Sequence, residues 1–260
     1  MAKPAWKKFP HADKAFVYAG AALKKNWERL HSGDCEPFPA DAAVQEAWRL
    51  YHQGEFGKAF EAGLAAGVDG YNAANKAAMI YATYLEDDDQ RKLELFQSIS
   101  ARCEELQQAQ PKNANAWYFQ AYALGRYSQG ISVLNALTQG LGGRIKAALD
   151  AALKLAPKHA EAHTALGAYH AEVVDKVGAL IGKLTYGANR ESAVKHFETA
   201  LKLVPDSAIA RIEYANALVM LFGQGKMDQA VKLYEKAAAA TPVEAMECLD
   251  VELAKAELED

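Results

Sequence analysis

The segments Pro111-Lys-Asn-Ala-Asn-Ala-Trp117, Pro157-Lys-His-Ala-Glu-Ala-His163 and Pro205-Asp-Ser-Ala-Ile-Ala-Arg211 share the frame Pro-x-x-Ala-x-Ala. Proline cannot continue a preceding helix, and the short polar residues that follow it can cap the next one. Each copy of the frame therefore predicts the end of one helix and the beginning of another. Pro242 begins a fourth, degenerate copy.

Small and aromatic residues recur at constant distances from these prolines. Alignment on the prolines places small residues where the two helices of a repeat cross closely, at Ala121, Gly167 and Ala215. The second helices show a small, aromatic, small spacing at Ala193, Phe197 and Ala200, and at Ala230, Tyr234 and Ala237. These are consensus positions of the tetratricopeptide repeat. The chain is therefore predicted to be all-α, a tetratricopeptide-like right-handed helical solenoid of about ten to twelve antiparallel helices.

Two central repeats are over-long. The distance from Pro111 to Pro157 is 46 residues and that from Pro157 to Pro205 is 48, whereas an ordinary unit has about 34. The additional residues lie roughly at 126–144 and 171–190, and apolar residues recur there at intervals of three and four. This spacing predicts additional helix rather than polar loop.

The composition agrees with a helical chain and argues against a nucleic-acid partner. Of the 260 residues, 51% are apolar and the formal net charge is −4. Both signs are mixed along the chain, so no basic face is expected to neutralise phosphates. Cys35, Cys103 and Cys248 lie far apart and are expected to be free thiols in a reducing compartment. Because no apolar stretch has the length of an export signal or a transmembrane segment, a cytoplasmic location is expected.

A family resemblance is carried by the central residues. They are Ala116-Trp117-Tyr118, Arg144-Ile145-Lys146, Ala152-Leu153-Lys154-Leu155-Ala156-Pro157, His163-x-x-Leu166-Gly167-x-Tyr169 and Glu191-x-Ala193-x-x-x-Phe197-x-x-Ala200. This run, within residues 99–242, resembles the regulator of microtubule dynamics family. The resemblance implies an adaptor with no catalytic residue, because repeat domains of that family have been linked with microtubules, organelle contact sites and phospholipid binding.

The first helix of each pair lines the concave face in ordinary repeats of this type, so its exposed positions are the candidate binding residues. They are Asn115, Tyr118, Tyr122, Arg126, Thr164, Ile209, Ile212, Asn216 and Met220. Tyr and Met suit contact with an apolar partner, and Arg126 could hold a carboxylate or a phosphate. A clamp for a carboxylate would need Lys and Asn one turn apart, and these positions of the three central repeats lack that pair. The alternative is that these residues pack against the added helices.

The apolar residues of the two insertions allow two interpretations. The candidates for the wall of a cavity are Leu134, Leu137, Leu141, Val177, Leu180, Ile181 and Leu184. Packed over the groove, they could enclose an acyl chain or an amphipathic helix. Such stripes are more often simply part of the core.

Signals for an enzyme or a metal site are weak. His159 and His163 are four residues apart and share a helical face, and His170 follows further along. In zinc proteases the glutamate directly follows the first histidine, whereas Glu161 lies midway between the two. We therefore predict no catalytic residue, no metal and no cofactor.

The chain divides into three predicted parts. Residues 1–39 form an N-terminal capping helix and a loop, 40–242 form the repeat domain, and 243–260 form a C-terminal capping helix. The predicted function is a non-catalytic scaffold that binds a protein or peptide segment in its concave groove. The alternative is a carrier for a lipid or another apolar small ligand in a cavity between the insertions.

Overall fold

Helices make up the regular structure of this chain. The computed structural model describes residues 6–259 and shows helices and no strand within them. The helices are α1 (Ala21–Leu30), α2 (Ala42–His52), α3 (Phe56–Ala65), α4 (Tyr71–Tyr84), α5 (Asp89–Ala109), α6 (Ala114–Gln129), α7 (Val133–Thr138), α8 (Leu141–Leu155), α9 (Ala160–Val177), α10 (Ala179–Tyr186), α11 (Arg190–Leu203), α12 (Ala208–Phe222), α13 (Met227–Ala238) and α14 (Ala245–Glu259). The all-α helical solenoid is confirmed, with more helices than the ten to twelve expected. The predicted N-terminal and C-terminal parts include residues 1–5 and 260, which lie outside the described residues.

The proline frame sets the helix boundaries by capping. The third residue of each copy is an N-cap whose side chain accepts a hydrogen bond from a backbone N–H in the first turn. Asn113 caps α6, His159 caps α9 and Ser207 caps α12. A capped first turn satisfies amide groups that have no partner inside the helix. The same local signal thus begins the first helix of three consecutive repeats.

The helices pack as antiparallel pairs, in which α2, α4, α6, α9 and α12 are the inner members. Their outer partners are α3, α5, α8, α11 and α13. The predicted crossing residues lie in the core, with Ala121 2% and Ala215 0% exposed. Phe197 on α11 is fully buried against Gly167 on α9. Small residues at these crossings let the two helix backbones approach closely.

Each over-long repeat contains a short additional helix. Helix α7 lies between α6 and α8, and α10 lies between α9 and α11. Both occupy the segments for which the sequence predicted additional helix, and α10 packs mainly on α9. The insertions therefore extend the two central repeats without breaking the pairing of their long helices.

The last helix closes back onto the first repeat. Helix α14 packs on α12 and α13, and it also contacts α2. The Tyr18 hydroxyl donates to the Val243 carbonyl at 2.6 Å, and the buried Cys248 and Leu249 share a core cluster with Trp27. The inner helices consequently surround a central space. Over residues 6–259, no helix combines the length and apolar character needed to cross a membrane.

Candidate functional site

The inner helices line a cavity of about 210 Å³. Residues from α4, α6, α9, α12 and α14 face it, together with residues from α7, α8 and α10. The cavity therefore lies where the concave surface of the solenoid meets both insertions. Its lining is mostly apolar and aromatic, with a few charged groups.

Several charged groups at the cavity are held by polar partners. Arg126 on α6 forms an ion pair with Glu213 on α12 at 3.0 Å, and its guanidinium lies 5.3 Å from the ring centre of Tyr122. Glu172 on α9 accepts a hydrogen bond from Gln129 at 2.5 Å. Burial is the largest effect on Glu172 and raises the pKa of its carboxyl. These pairs give the apolar cavity a polar rim that could orient a partner.

Five of the predicted groove residues line the cavity, namely Tyr118, Tyr122, Arg126, Thr164 and Ile209. The other four lie elsewhere. Asn115 is buried beside the cavity and holds the N-terminal loop. Ile212 is buried in a small core with residues of α13 and α14, Asn216 accepts a hydrogen bond from Tyr234 on α13, and Met220 is 40% exposed. Because α13 and α14 pack on α12, only the first turns of α12 face the central space.

Three of the seven residues predicted to wall the cavity do so: Leu137, Leu141 and Val177. The expectation for Leu134, Leu180, Ile181 and Leu184 needs correction, because these residues are 73%, 72%, 54% and 77% exposed and lie outside the lining. Helices α7 and α10 are only 6 and 8 residues long. Each such helix covers the solenoid with one face and leaves the other face in solvent.

Two residues of the cavity lining, Lys76 and Glu161, belong to a buried ionic cluster. Lys76 on α4 donates to Asp34 at 2.5 Å and to Glu161 on α9 at 3.0 Å, and all three side chains are largely buried. Burial alone would lower the pKa of Lys76, but the two carboxylates more than offset it and leave that pKa well above its ordinary value. The cluster joins the N-terminal loop to two inner helices.

A second carboxylate of the same loop lies close by. Glu36 accepts hydrogen bonds from the side-chain amides of Asn72 at 2.8 Å and Asn115 at 2.5 Å. Burial, aided by the charge of Asp34, raises the pKa of Glu36 to about 7. His159, whose Nδ1 caps α9, has its Nε2 2.9 Å from the Asn115 side-chain oxygen. This contact orients the Asn115 amide towards Glu36.

The sequence interpretation missed this carboxylate clamp, which we define as Asn72, Lys76 and Asn115. The central three repeats lack a Lys and Asn pair one turn apart, but Asn72 and Lys76 are such a pair on α4. The prediction from the sequence considered only the three central repeats for such a pair and did not cover the second repeat. The four-residue spacing of Asn72 and Lys76 on α4 was the signal that could have predicted the clamp. The second repeat matches the consensus less well, so its first helix was not among the candidate binding helices.

Two more carboxyls are buried where α14 meets the first repeats. Glu244 contacts His52 Nδ1, and Asp250 accepts a hydrogen bond from the Tyr84 hydroxyl. Burial, reinforced by Glu247, raises the pKa of Glu244 to about 8, and burial lowers the pKa of His52 to about 3. Near neutral pH the pair is therefore mostly uncharged, with a protonated Glu244 donating to His52.

The histidines singled out in the sequence have structural contacts. His159 is a fully buried N-cap, and His163 Nδ1 lies 2.9 Å from His196 Nδ1. His170 stacks on His196 with the ring centres 5.7 Å apart. In the part of the chain that the structure describes, no group of three or more His, Cys, Asp or Glu residues could hold a metal ion.

The chain is similar to one protein family and to solved repeat structures. The family model described as regulator of microtubule dynamics protein 1-3 matches residues 43–259. No curated protein matches the chain. The thermophilic TPR protein TTC0263 of Thermus thermophilus superposes with a TM-score of 0.58 at 17% identity, covering 82% of this chain and 97% of that one. A monomeric mutant of IFIT1 with Gppp-AAAA gives a TM-score of 0.44 at 16% identity, covering 87% of this chain and 56% of that one. The likeness to the Thermus thermophilus protein, at 17% identity, bears on the fold alone.

Proposed function

We propose that this chain, which belongs to the regulator of microtubule dynamics protein 1-3 family, is a non-catalytic repeat scaffold that binds a protein or peptide segment on its concave surface. The observation that carries the proposal is the cavity to which the inner helices of successive repeats contribute. Tyr118, Tyr122 and Ile209 supply apolar contact area there, and Arg126 with Glu213 supplies polar groups at the rim. Aromatic and arginine side chains are the residue types that dominate binding energy at protein interfaces.

Selection of binding peptides tests the proposal directly. A random-peptide display library is selected against the full chain, and the affinities of the enriched peptides are measured by calorimetry. The variant Arg126→Gln removes the guanidinium charge from the cavity and keeps a polar side chain there. We expect it to raise the Kd of groove-binding peptides about tenfold, which corresponds to about 1.4 kcal/mol.

A matched variant controls for the loss of one surface charge. Arg144 on α8 also forms an ion pair, with Glu104 at 3.1 Å, but it lies outside the cavity lining. Arg144→Gln is expected to leave peptide affinity unchanged. If no peptide is enriched, or if both variants bind every peptide as the parent chain does, the concave surface is not the binding site.

A second candidate function is a carrier for an apolar small ligand, and the apolar part of the cavity lining favours it. That part includes Leu137, Leu141, Ile145 and Val177. Native mass spectrometry of gently purified protein, followed by organic extraction, would reveal a retained ligand in stoichiometric amount. Leu137→Asp is expected to abolish its retention, whereas Leu184→Asp, at a position that is 77% exposed, is expected to preserve it. A mass without ligand argues against the carrier.

A further inference from the structure

The basic side chains of the cavity lining do not neutralise all of its carboxyls. Four carboxyls line the cavity, those of Glu161, Glu172, Glu213 and Asp250. Arg126 is paired with Glu213, and Lys76 is shared between Glu161 and Asp34. The third basic residue of the lining, Lys176, is exposed. Within residues 6–259, the side chains that donate to Glu172 and Asp250 are neutral, namely Gln129 and Tyr84.

Asp250 on α14 is the more buried of these two carboxyls. It is 3% exposed, and no basic side chain of the described residues forms an ion pair with it. The titratable groups that interact with it are Tyr51 on α2, Tyr84 on α4, Glu161 on α9, and Glu244 and Glu247 at the start of α14.

These surroundings make the carboxylate form of Asp250 unfavourable. Burial is the largest effect and raises the pKa of the carboxyl well above its ordinary value, and the hydrogen bond from Tyr84 offsets only part of it. The negative charges of the three glutamates raise this pKa further. A cation beside such a carboxyl favours its charged form. The cavity therefore presents a buried acid that lacks a counter-ion.

Aromatic rings form much of the remaining lining. They belong to Tyr84, Tyr118, Tyr122, Tyr169 and Tyr186. The face of an aromatic ring attracts cations, and rings arranged around a cavity recognise quaternary ammonium groups. The protein already contains one contact of this kind, because the Arg126 guanidinium lies 5.3 Å from the ring centre of Tyr122.

One tyrosine hydroxyl of the lining has an unused hydrogen-bonding capacity. Tyr169 is 7% exposed, and its hydroxyl has no hydrogen-bond partner among the described residues. Burial is the largest effect on this hydroxyl and raises its pKa to about 12, so it is uncharged near neutral pH. A buried polar group without a partner costs free energy. A ligand with an N–H group can donate to this oxygen, and this observation is independent of the carboxyls.

The size of the cavity limits the ligand to a small molecule. Its volume of about 210 Å³ is somewhat larger than the roughly 150 Å³ of a cavity that holds benzene. Leu141 and Ile145 line the same space as the tyrosines. A ligand that matches this lining has an apolar body and one positively charged group.

We propose that this cavity binds a small organic cation, an ammonium compound with an apolar body, and that Asp250 is its counter-ion. The ammonium group lies against Asp250 and Tyr84, and the body lies along the aliphatic and aromatic lining. When the cation binds, Asp250 releases its proton to solvent and becomes a carboxylate, so the two charges balance. This inference rests on the cavity of the carrier candidate and names the chemistry of its ligand.

Three probes of similar size and different charge test the proposal on the full chain. They are 2-phenylethylammonium, 2-phenylethanol and phenylacetate, a cation, a neutral molecule and an anion. NMR titration at pH 7.5 gives the Kd of each. We expect the cation to bind at least about tenfold more tightly than the alcohol, and phenylacetate to bind more weakly than the alcohol. Equal affinities for the cation and the alcohol overturn the proposal.

The variant Asp250→Asn tests the counter-ion. Asparagine keeps the shape of the side chain and an acceptor for the Tyr84 hydroxyl, but it cannot become an anion. We expect this variant to bind the cation no more tightly than the alcohol, with the affinity for the alcohol unchanged. Glu257→Gln, at an exposed position of α14, is the matched control and should bind all three probes as the parent chain does. An Asp250→Asn variant that has the parent's circular dichroism and still prefers the cation overturns the proposal.

Proton release from the parent chain covers the case in which Asp250→Asn does not fold. Calorimetry at one pH in two buffers with different enthalpies of ionisation measures the protons released on binding. The cation is expected to release protons and the alcohol is expected to release none, because only the cation ionises Asp250. Binding of the cation without proton release overturns the proposal.

The outcomes also separate this inference from the carrier candidate. A neutral ligand that is retained through purification, in a protein that binds the cation no better than the alcohol, supports the carrier and overturns the cation site. Binding of the cation that depends on Asp250, in a protein that is purified without a retained ligand, supports the cation site and contradicts the carrier.

Discussion

Gly167 on α9 lies directly against the ring of Phe197 on α11. A Cβ added to Gly167 would be 2.8 Å from a ring carbon, and Phe197 is fully buried. Phe197 is a core residue, so its ring cannot move into solvent to make room for a larger side chain at Gly167. The consensus position in the sequence thus corresponds to a steric requirement in the fold.

Substitution at this crossing is therefore expected to destabilise the protein. Gly167→Ala raises helix propensity by about 1 kcal/mol, but overpacking costs about 1–3 kcal/mol, so the net change in the free energy of unfolding is expected to be a loss. Gly143→Ala is the matched control, because Gly143 is exposed in α8 and nothing lies within 4 Å of the added Cβ. Urea denaturation should show a higher free energy of unfolding for Gly143→Ala than for the parent chain. A higher value for Gly167→Ala as well would mean that the crossing is loosely packed.

Alkaline pH is expected to weaken the closure of α14 on the first repeat. The pKa of Glu244 is raised to about 8 in the fold, above its value of about 4.3 in an unfolded chain. The folded state therefore binds the proton more tightly, and this stability is lost as the pH rises between those two values. Between pH 5 and pH 9, the free energy of unfolding is expected to fall by about 4 kcal/mol.

Glu244→Gln removes this dependence while keeping a donor for His52. Its advantage in thermal stability over the parent chain is expected to grow as the pH is raised from 5 to 9. Glu257→Gln, at an exposed position of α14, should follow the parent at every pH. Parallel melting curves for the parent and Glu244→Gln across this range would contradict a buried, protonated Glu244.

Acid is expected to destabilise the contact between α9 and α11. Burial lowers the pKa of His170 and of His196 to about 4, so below about pH 6.5 the unfolded chain binds protons that the fold excludes. Stability is therefore lost as the pH falls from that point towards 4. Because solvent reaches part of the His196 ring, we expect a loss of about 1 kcal/mol from that histidine.

The variant His196→Gln tests this expectation. Urea unfolding at pH 5 and pH 7.5 should show a smaller loss of stability on acidification for His196→Gln than for the parent chain. His11→Gln, at an exposed position, serves as the control and should retain the full loss. If His196→Gln retains it too, the stacked histidines do not cause the acid sensitivity.

The insertions are expected to contribute little stability through their outer faces. Leu184 on α10 is 77% exposed, whereas Leu149 on α8 is 1% exposed. Leu184→Ala should change the free energy of unfolding by less than about 0.5 kcal/mol, and Leu149→Ala should lower it by about 2–5 kcal/mol. Denaturant titration of both variants is the measurement. A large loss for Leu184→Ala would show that α10 packs more deeply than its exposure indicates.

The sequence by itself determined the features whose causes are local. The proline frame placed the caps at Asn113, His159 and Ser207, and the periodic small residues marked the helix crossings. The lengthened spacing of the prolines located both insertions, and apolar residues at intervals of three and four predicted that they are helical. Each of these signals arises within a few turns of one helix or between neighbouring helices, so the residues involved lie close together in the chain.

Only the tertiary structure decided which distant residues meet in the centre. Lys76 and Asp34 are 42 residues apart, and His52 and Glu244 are 192 apart. The contact between His52 and Glu244 depends on the curvature that accumulates over all the repeats, and no single repeat encodes that curvature. The spacing of Leu134 and Leu180 also did not determine how exposed they are. An apolar stripe predicts a helix, but it does not predict how much of that helix a neighbouring element covers. The superhelix, rather than any one motif, forms the cavity and the clamp.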